Sequence, residues 1–429
     1  MANTITNPEL VARLAELDQL TNWEQRPRGG MRVGLEPMRD LAGRLNDPQR
    51  NFRVIHVAGT KGKSSTCALL EAGLARAGHA VGRYSSPHVS YVGERITLNG
   101  KPVGEADLAM ALGLCLAALR AARTDGTAGR DATWFDVLTA TAFVIYRRAG
   151  VEWAVIETGL GGRLDSTNIV ESEVAVITNI ELEHTEVLGK TRAAIAFEKA
   201  GIIKPGSIVV TPLAEADEAG AVIAARAREL GCALLRPIVP ETASIMAGNA
   251  IVAGTVLDAL GARHGKAALG AWLLDPDTIN AARLPGRLEL LTAEVTTDAG
   301  TIPVPVALDG AHVPFNLAAV MADLRKLPAF AGPCVAVVSF ADDKDALGLL
   351  TVLARYPVSI IFTIASARSR PPADLSAMAE HLGLKTQIEP DPRRAYDKAL
   401  NEAARTNAWV LVTGSLYLVG AVAAEGQIS

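Results

Sequence analysis

Residues 54–66 read Val-Ile-His-Val-Ala-Gly-Thr-Lys-Gly-Lys-Ser-Ser-Thr. An apolar run of strand length stops at a glycine-rich turn, and Lys63-Ser64-Ser65-Thr66 opens a helical stretch in which Cys67, Leu70, Leu74 and Ala77 share one face. Such a segment has the form strand, tight turn, helix. The same alternation runs through most of the chain. Strand-length apolar runs at Phe52–Ala58, Trp153–Ile156, Val174–Ile180 and Ile208–Thr211 are each followed by a polar turn and a helical period. The pattern predicts a parallel sheet with helices on both faces.

The last third repeats it, with strands expected near Val304–Leu308, Val335–Phe340, Val358–Ile364 and Val410–Val412 and helices from Phe315, Asp345 and Arg394. Between the two series, Asp275-Pro276-Asp277 and Leu284-Pro285-Gly286 supply breaker chemistry. A length of 429 residues suggests about three domains. Two α/β units account for the pattern better, with boundaries expected at 1–283 and 284–429.

Composition excludes several classes. With 49% hydrophobic and 21% charged residues, the chain can bury a large core and is neither disordered nor collagenous. A net charge of −4 with only 4% aromatic residues offers no basic, base-stacking surface, so nucleic acid is not expected as a partner. Cys67, Cys115, Cys232 and Cys334 lie far apart, without metal or disulfide spacing, and read as small buried side chains in a reducing compartment. The N-terminal stretch is punctuated by Glu9, Arg13, Glu16 and Asp18 and reads as an amphipathic helix, not a leader. The uncharged stretch Trp409–Ala424 is shorter than the ~20 residues a bilayer needs and reads as strand, turn and helix. A cytoplasmic protein without a membrane partner is expected.

The turn after residue 58 has phosphate-binding chemistry. Gly59 and Gly62 let backbone N–H groups converge on phosphate oxygens, and the helix that follows presents its positive end. Lys63 supplies a point charge, and Ser64 or Ser65 a hydroxyl for Mg²⁺. The pattern is GxxGK[ST]; Val57 stands where the longer P-loop pattern has its first glycine. The alternative is a βα turn that holds no ligand.

Read with the other motifs, the chain resembles the folylpolyglutamate synthase/dihydrofolate synthase family, a branch of the Mur ligases. The resemblance rests on an ordered set: Gly34-Leu-Glu-Pro-Met38, His56–Lys63, Tyr84-Ser-Ser-Pro-His88, Glu94-Arg-Ile96, Glu157–Asn168, His184–Gly189 and Glu198–Pro205. It continues through Leu284–Glu289, Asp309-Gly-Ala-His312 and Thr413–Leu418. The fold it implies is α/β: a P-loop, Mur-ligase-like central domain with a parallel-rich sheet, and a smaller Rossmann-like C-terminal domain.

The implied reaction is ATP-dependent amide formation between a folate or dihydropteroate carboxylate and the amino group of L-glutamate, through an acyl phosphate. By resemblance, Gly59, Thr60, Lys61, Gly62, Lys63, Ser64 and Ser65 cradle ATP, with Asn249 on the adenine side and Arg287 and Asp309 near the phosphates. Ser86, Glu157, His184 and Lys199 would hold Mg²⁺, two ions being expected, with Lys199 carbamylated so that a cation becomes a carboxylate-like ligand. Thr133, Phe135 and Asp165 match a pterin pocket. His312 and Ser415 match groups around the incoming glutamate. Lys63, Lys199, Asp309 and His312 form the expected catalytic set, and because residues come from both halves, closure about the Leu284 linker is expected to assemble the site. The protein is expected to be monomeric.

Four positions depart from the family pattern. Ser64 replaces a glycine, Asp136 a glutamate, Glu183 an aspartate and Val313 an asparagine. The stretch between Pro205 and Asn249 also looks short and lacks a hairpin. Competing readings are a Mur-type ligase with another carboxylate acceptor, a P-loop phosphotransferase, and a silent nucleotide-binding homologue. Asp309, His312 and the Glu157, His184, Lys199 set have no task in simple phosphoryl transfer.

Overall fold

The computed structural model describes residues 5–24, 34–265, 267–297 and 300–423, so the outer domain limits at 1 and 429, and Ala424, lie outside the described residues. The chain divides into two compact units. One comprises Ile5–His88 and Val92–Ala282; the other takes Val89–Tyr91 together with the chain from Arg283 onwards.

The first unit is built on eight strands: β1 (Arg53–Ala58), β2 (Val81–Tyr84), β3 (Ile96–Leu98), β4 (Lys101–Pro102), β5 (Trp153–Glu157), β6 (Ser172–Ile177), β7 (Ile208–Val210) and β8 (Ala233–Leu235). Their order is β4-β3-β2-β5-β1-β6-β7-β8. The neighbours β2, β5, β1, β6, β7 and β8 run parallel, while β3 and β4 are antiparallel additions at one edge. The central strands are apolar on both faces because helices cover both, and every residue of β5 is buried. The helix Trp134–Arg148 buries every position against this core except Phe135 and its two arginines.

Ile245–His264 has the length and composition of a membrane span. Here it packs on the helix Lys63–Arg76, where a Cβ on Gly73 would lie 2.7 Å from Leu257. No hairpin occurs between Pro205 and Asn249; β7 and β8 pair in parallel across the helix Glu218–Glu229.

The second unit holds β9 (Glu289–Thr297), β10 (Gly300–Asp309), β11 (Cys334–Val338), β12 (Val358–Phe362), β13 (Lys385–Ile388) and β14 (Trp409–Thr413), in the order β13-β12-β11-β14-β10-β9. All neighbours are parallel except the β9–β10 hairpin. Two of these strands carry no apolar-run signal. β9 alternates between half-buried and exposed positions over most of its length, and β13 reads Lys-Thr-Gln-Ile, both being edge strands with one solvated side. Trp409–Ala423 forms strand, turn and helix. Gly420 of that helix is required by packing within this unit, since a Cβ would meet the Val89 carbonyl oxygen at 2.2 Å.

Cys67, Cys115 and Cys334 are buried thiols whose ionisation burial suppresses. Cys232 differs from the expectation: it is only half-buried, with its thiol 3.1 Å from the Lys204 carbonyl at the start of an edge strand.

Candidate active site

β1 ends at Ala58 between β5 and β6, so the turn that follows lies between their carboxyl ends. Gly59 has φ 151°, and an added Cβ would stand 1.9 Å from Thr178 Oγ1, which directly follows β6. Gly62, at φ 81°, caps the helix Lys63–Arg76 and has no side chain to satisfy the first-turn N–H groups. These donors and the helix dipole suit an anion. Asn249, on the helix Ile245–His264, leans over this turn: its Oδ1 is 2.6 Å from where a Gly62 Cβ would be, and its buried Nδ2 has no hydrogen-bond partner in the protein. A purine or phosphate acceptor would satisfy that amide.

The structure divides the predicted nucleotide residues into two groups. Lys63 has its amine 3.3 Å from the Thr60 carbonyl, at the turn itself. Thr60 and Lys61, by contrast, are spent on shaping the loop. Thr60 N–H donates to the Asn179 carbonyl, Lys61 N–H to Asn179 Oδ1 at 2.7 Å, and Lys61 Nζ to Glu183 Oε1 at 3.0 Å. In this structure, then, the Thr60 and Lys61 N–H groups and the Lys61 amine have protein acceptors.

Glu157 ends β5 with its carboxylate buried. Ser64 Oγ donates to its Oε1 at 2.9 Å, and the Ser86 N–H to its Oε2 at 3.3 Å. Ser64, Ser86 and Glu157 are therefore one cluster. Lys199, on the helix Arg192–Ala200, is 5% exposed and places Nζ 2.9 Å from the Gly59 carbonyl. Burial, and then the nearby Lys63 charge, push its amine down to about 7. His184 has a left-handed backbone, φ 53°, at the start of the short helix Thr185–Leu188, and its Nε2 lies 3.9 Å from Glu183 Oε1.

Among the described residues no three His, Cys, Asp or Glu side chains converge as a metal cage. Mg²⁺ keeps water and phosphate ligands and takes few protein oxygens. Glu157 and the Ser64 and Ser86 hydroxyls are oxygen donors of the right kind, so the set fits such an ion.

Beside this cluster the loop after β5 is organised by Asp165. Its Oδ2 accepts the Leu160 N–H at 2.7 Å, and its Oδ1 accepts Thr167 N–H and Oγ1. Burial nevertheless holds its pKa above the usual range. Thr167 Oγ1 also meets buried His56 Nε2 at 2.8 Å. Phe135 packs against Gly159, where a Cβ would be 2.6 Å from its ring. Thr133 is the N-cap of Trp134–Arg148 in a reciprocal capping box with Asp136. Asp136 additionally accepts from Ser166 Oγ at 2.6 Å. Of the three predicted pterin residues, Phe135 is half-buried with its ring 5.9 Å from that of Tyr84, and the polar groups of Thr133 and Asp165 hold local structure.

In the second unit, Asp309 ends β10 beside Thr413, the last residue of β14, in parallel register. Its Oδ1 accepts the Ala311 N–H at 2.8 Å and its Oδ2 the Leu288 N–H at 2.7 Å. Leu288 is left-handed, φ 52°, so this carboxylate fixes an unusual turn next to Arg287. His312 Nδ1 lies 2.8 Å from the Gly310 carbonyl, and Ser415 follows β14 at Gly414, φ 98°. Arg287, Asp309, His312 and Ser415 thus gather at one end of this sheet. Val313, in place of an amide, is the N-cap of Pro314–Leu324 and makes no side-chain cap.

Sequence reasoning missed Thr178, Asn179 and Glu181. The expected strand Val174–Ile180 in fact stops at Ile177. The polar pair Thr178-Asn179 inside the apolar run was the available signal.

Comparison with known proteins agrees with this arrangement. The Mur ligase middle domain matches residues 57–237, and the Mur ligase, glutamate ligase domain matches residues 286–416. The dihydrofolate synthase/folylpolyglutamate synthase of Escherichia coli (strain K12) is 32% identical over 417 residues, covering 91% of this chain and 90% of that protein. The crystal structure of Mycobacterium tuberculosis folylpolyglutamate synthase complexed with ADP and AMPPCP superposes with a TM-score of 0.79 at 28% identity, over 98% of this chain and 99% of that one. A bifunctional folylpolyglutamate synthase/dihydrofolate synthase with Mn, AMPPNP and L-glutamate bound gives 0.77 at 29% identity, over 98% of each chain. With identity sustained along nine-tenths of its length and both domain types in order, the chain belongs to the folylpolyglutamate synthase/dihydrofolate synthase family of Mur ligases.

Proposed function

We propose that this protein is an ATP-dependent, ADP-forming ligase that joins a carboxylate of dihydropteroate or folate to the amino group of L-glutamate. A carboxylate does not react with an amine until it carries a leaving group. Attack of the acceptor carboxylate on the γ-phosphorus releases ADP and gives an acyl phosphate. The glutamate amine then attacks the carbonyl carbon, loses a proton and expels phosphate.

The observation that carries this reading is the glycine turn 59–62 and the uncapped start of Lys63–Arg76 directly beside the buried Glu157 carboxylate. Lys63 and the first-turn N–H groups would hold the β- and γ-phosphates, and Asn249 the base. Glu157, Ser86 and His184 would hold divalent metal, which neutralises phosphate charge when bound. In the second unit Arg287 would meet phosphate, while His312 and Ser415 would orient the glutamate.

Lys199 is proposed to be carbamylated. A buried amine pushed down to about 7 is partly neutral at physiological pH and can attack CO₂ with loss of a proton, and the resulting anion would relieve its proximity to Lys63. Density at its Nζ in a high-resolution ATP complex tests this; a bare amine there removes the assignment. Two metal ions and a monomeric, cytoplasmic protein complete the proposal, the last supported by four cysteines that form no disulfide.

The decisive experiment uses purified protein with Mg-ATP, L-glutamate and a panel of pterin and non-pterin carboxylates. Dihydropteroate- or folate-dependent phosphate release with a new glutamyl conjugate is expected. An amide formed only with a non-pterin acceptor would identify a Mur-type ligase of other specificity. Phosphate release without any amide would end both.

A further inference from the structure

Glycine turns are weakly self-determining, because Gly59 and Gly62 occupy backbone regions that many loop shapes share. Something outside the turn must select the phosphate-binding shape. In this protein the selecting element is the segment Thr178–Glu183, which leaves β6 and runs alongside the turn.

The contacts are reciprocal and nearly continuous. Thr178 Oγ1 donates to the Lys61 carbonyl at 2.6 Å. Asn179 accepts the Thr60 N–H with its carbonyl at 2.9 Å and the Lys61 N–H with its side chain at 2.7 Å. Thr60 Oγ1 donates to the Glu181 carbonyl at 3.2 Å and accepts the Glu181 N–H at 2.9 Å. Lys61 Nζ then closes the seam on Glu183 Oε1 at 3.0 Å, with side chains only 16% and 11% exposed. A pair this sheltered is screened far less by salt than a surface pair. Glu183 is followed directly by His184, so the same seam ties the phosphate turn to the metal-side histidine.

We propose that Glu183 is a positioning residue for nucleotide binding, which acts through its ion pair with Lys61, and that Asn179 supports it by fixing the Lys61 backbone. Glu183 does not touch nucleotide in this account. Its longer side chain, where the family has aspartate, reaches Lys61 and draws that cation sideways, which leaves Lys63 as the loop's phosphate-facing charge. The inference rests on the phosphate turn being a nucleotide site, but its mechanical part does not depend on that.

The experiment has two arms on the full-length protein. In ligand-free protein, amide hydrogen exchange of peptides covering residues 59–65 reads the brace without any nucleotide. Glu183→Gln, Lys61→Met and Asn179→Ala are each expected to speed exchange there while leaving peptides from β11 and β14 unchanged. In the second arm, calorimetric Mg-ADP affinity should fall about 10- to 100-fold in each variant, the range seen when partners that hold binding groups are removed. KM for ATP should rise with KM for the acceptor unchanged. The Lys61→Met/Glu183→Gln double variant should be no worse than either single, because both remove one interaction. Glu183→Asp, a shorter carboxylate, should restore part of the loss.

Unchanged exchange at 59–65, or additive losses in the double variant, would overturn the proposal. If wild-type protein binds no Mg-ADP, the functional reading fails, and the exchange arm alone still decides whether Glu183 braces the turn.

Discussion

Ser64 Oγ donates a 2.9 Å hydrogen bond to Glu157 Oε1, which joins the first turn of the helix after the phosphate loop to the end of a neighbouring strand. This hydroxyl stands where the family usually has glycine, and it orients the acid expected to face metal. Ser64→Ala should therefore lower metal-dependent turnover about 10- to 100-fold while sparing the fold. Titration of activity against Mg²⁺ checks this: the half-saturating concentration should rise.

Lys63→Ala should abolish turnover, since the outer phosphates then lack their nearest fixed cation. Steady-state phosphate release is the measurement. Near-wild-type rates would remove the assignment of this turn.

Gly59→Ala forces a Cβ to 1.9 Å from Thr178 Oγ1 at a φ of 151°. Neither the side chain nor the backbone can accept this, so the turn must move. The cost should be about 1–3 kcal/mol, seen as a lower melting temperature together with lost ADP binding. A stable variant that still binds ADP would contradict the packing described.

Asp309→Asn should weaken the second unit. Both carboxylate oxygens accept backbone N–H groups, from Ala311 and Leu288, and an amide nitrogen cannot accept either bond. One buried donor is left unsatisfied, a loss of about 1–3 kcal/mol. Chemical denaturation followed by hydrogen exchange of peptides from β10 and β14, with ligase rate in parallel, reads both consequences.

Stability should fall in acid because of His56. Burial and, secondarily, the Lys204 charge hold its pKa down to about 3, so it is neutral in the fold. The unfolded histidine takes a proton near pH 6.5. This contribution is complete above pH 6.5 and is lost as pH falls towards 3, at up to about 1.4 kcal/mol per pH unit. Urea midpoints between pH 7.5 and 4 should show a shallower decline in His56→Gln than in wild type.

Much of this was legible in the chain. Val54–Ala58 followed by Gly59, Gly62 and Lys63 specified strand, turn and helix because apolar period and turn chemistry are local. β13 and β9 were not legible, since an edge strand with a solvated face carries no apolar run. Glu157, Lys63 and Lys199 could be named from motifs, yet the depressed Lys199 amine is a consequence of burial beside Gly59 and Lys63, which no spacing expresses.

Thr60, Lys61, Thr133 and Asp165 show the same limit from the other side. Their types suited ligand contact, and the fold also gives each a protein partner that no motif expresses. Two α/β units, the phosphate turn and the family are readable in the chain, because these reside in periodicity and short motifs. Tertiary structure alone decided which polar groups remain available for chemistry. Hydrogen-bond satisfaction is settled by neighbours such as Asn179 and Glu183, which lie more than a hundred residues away in the chain.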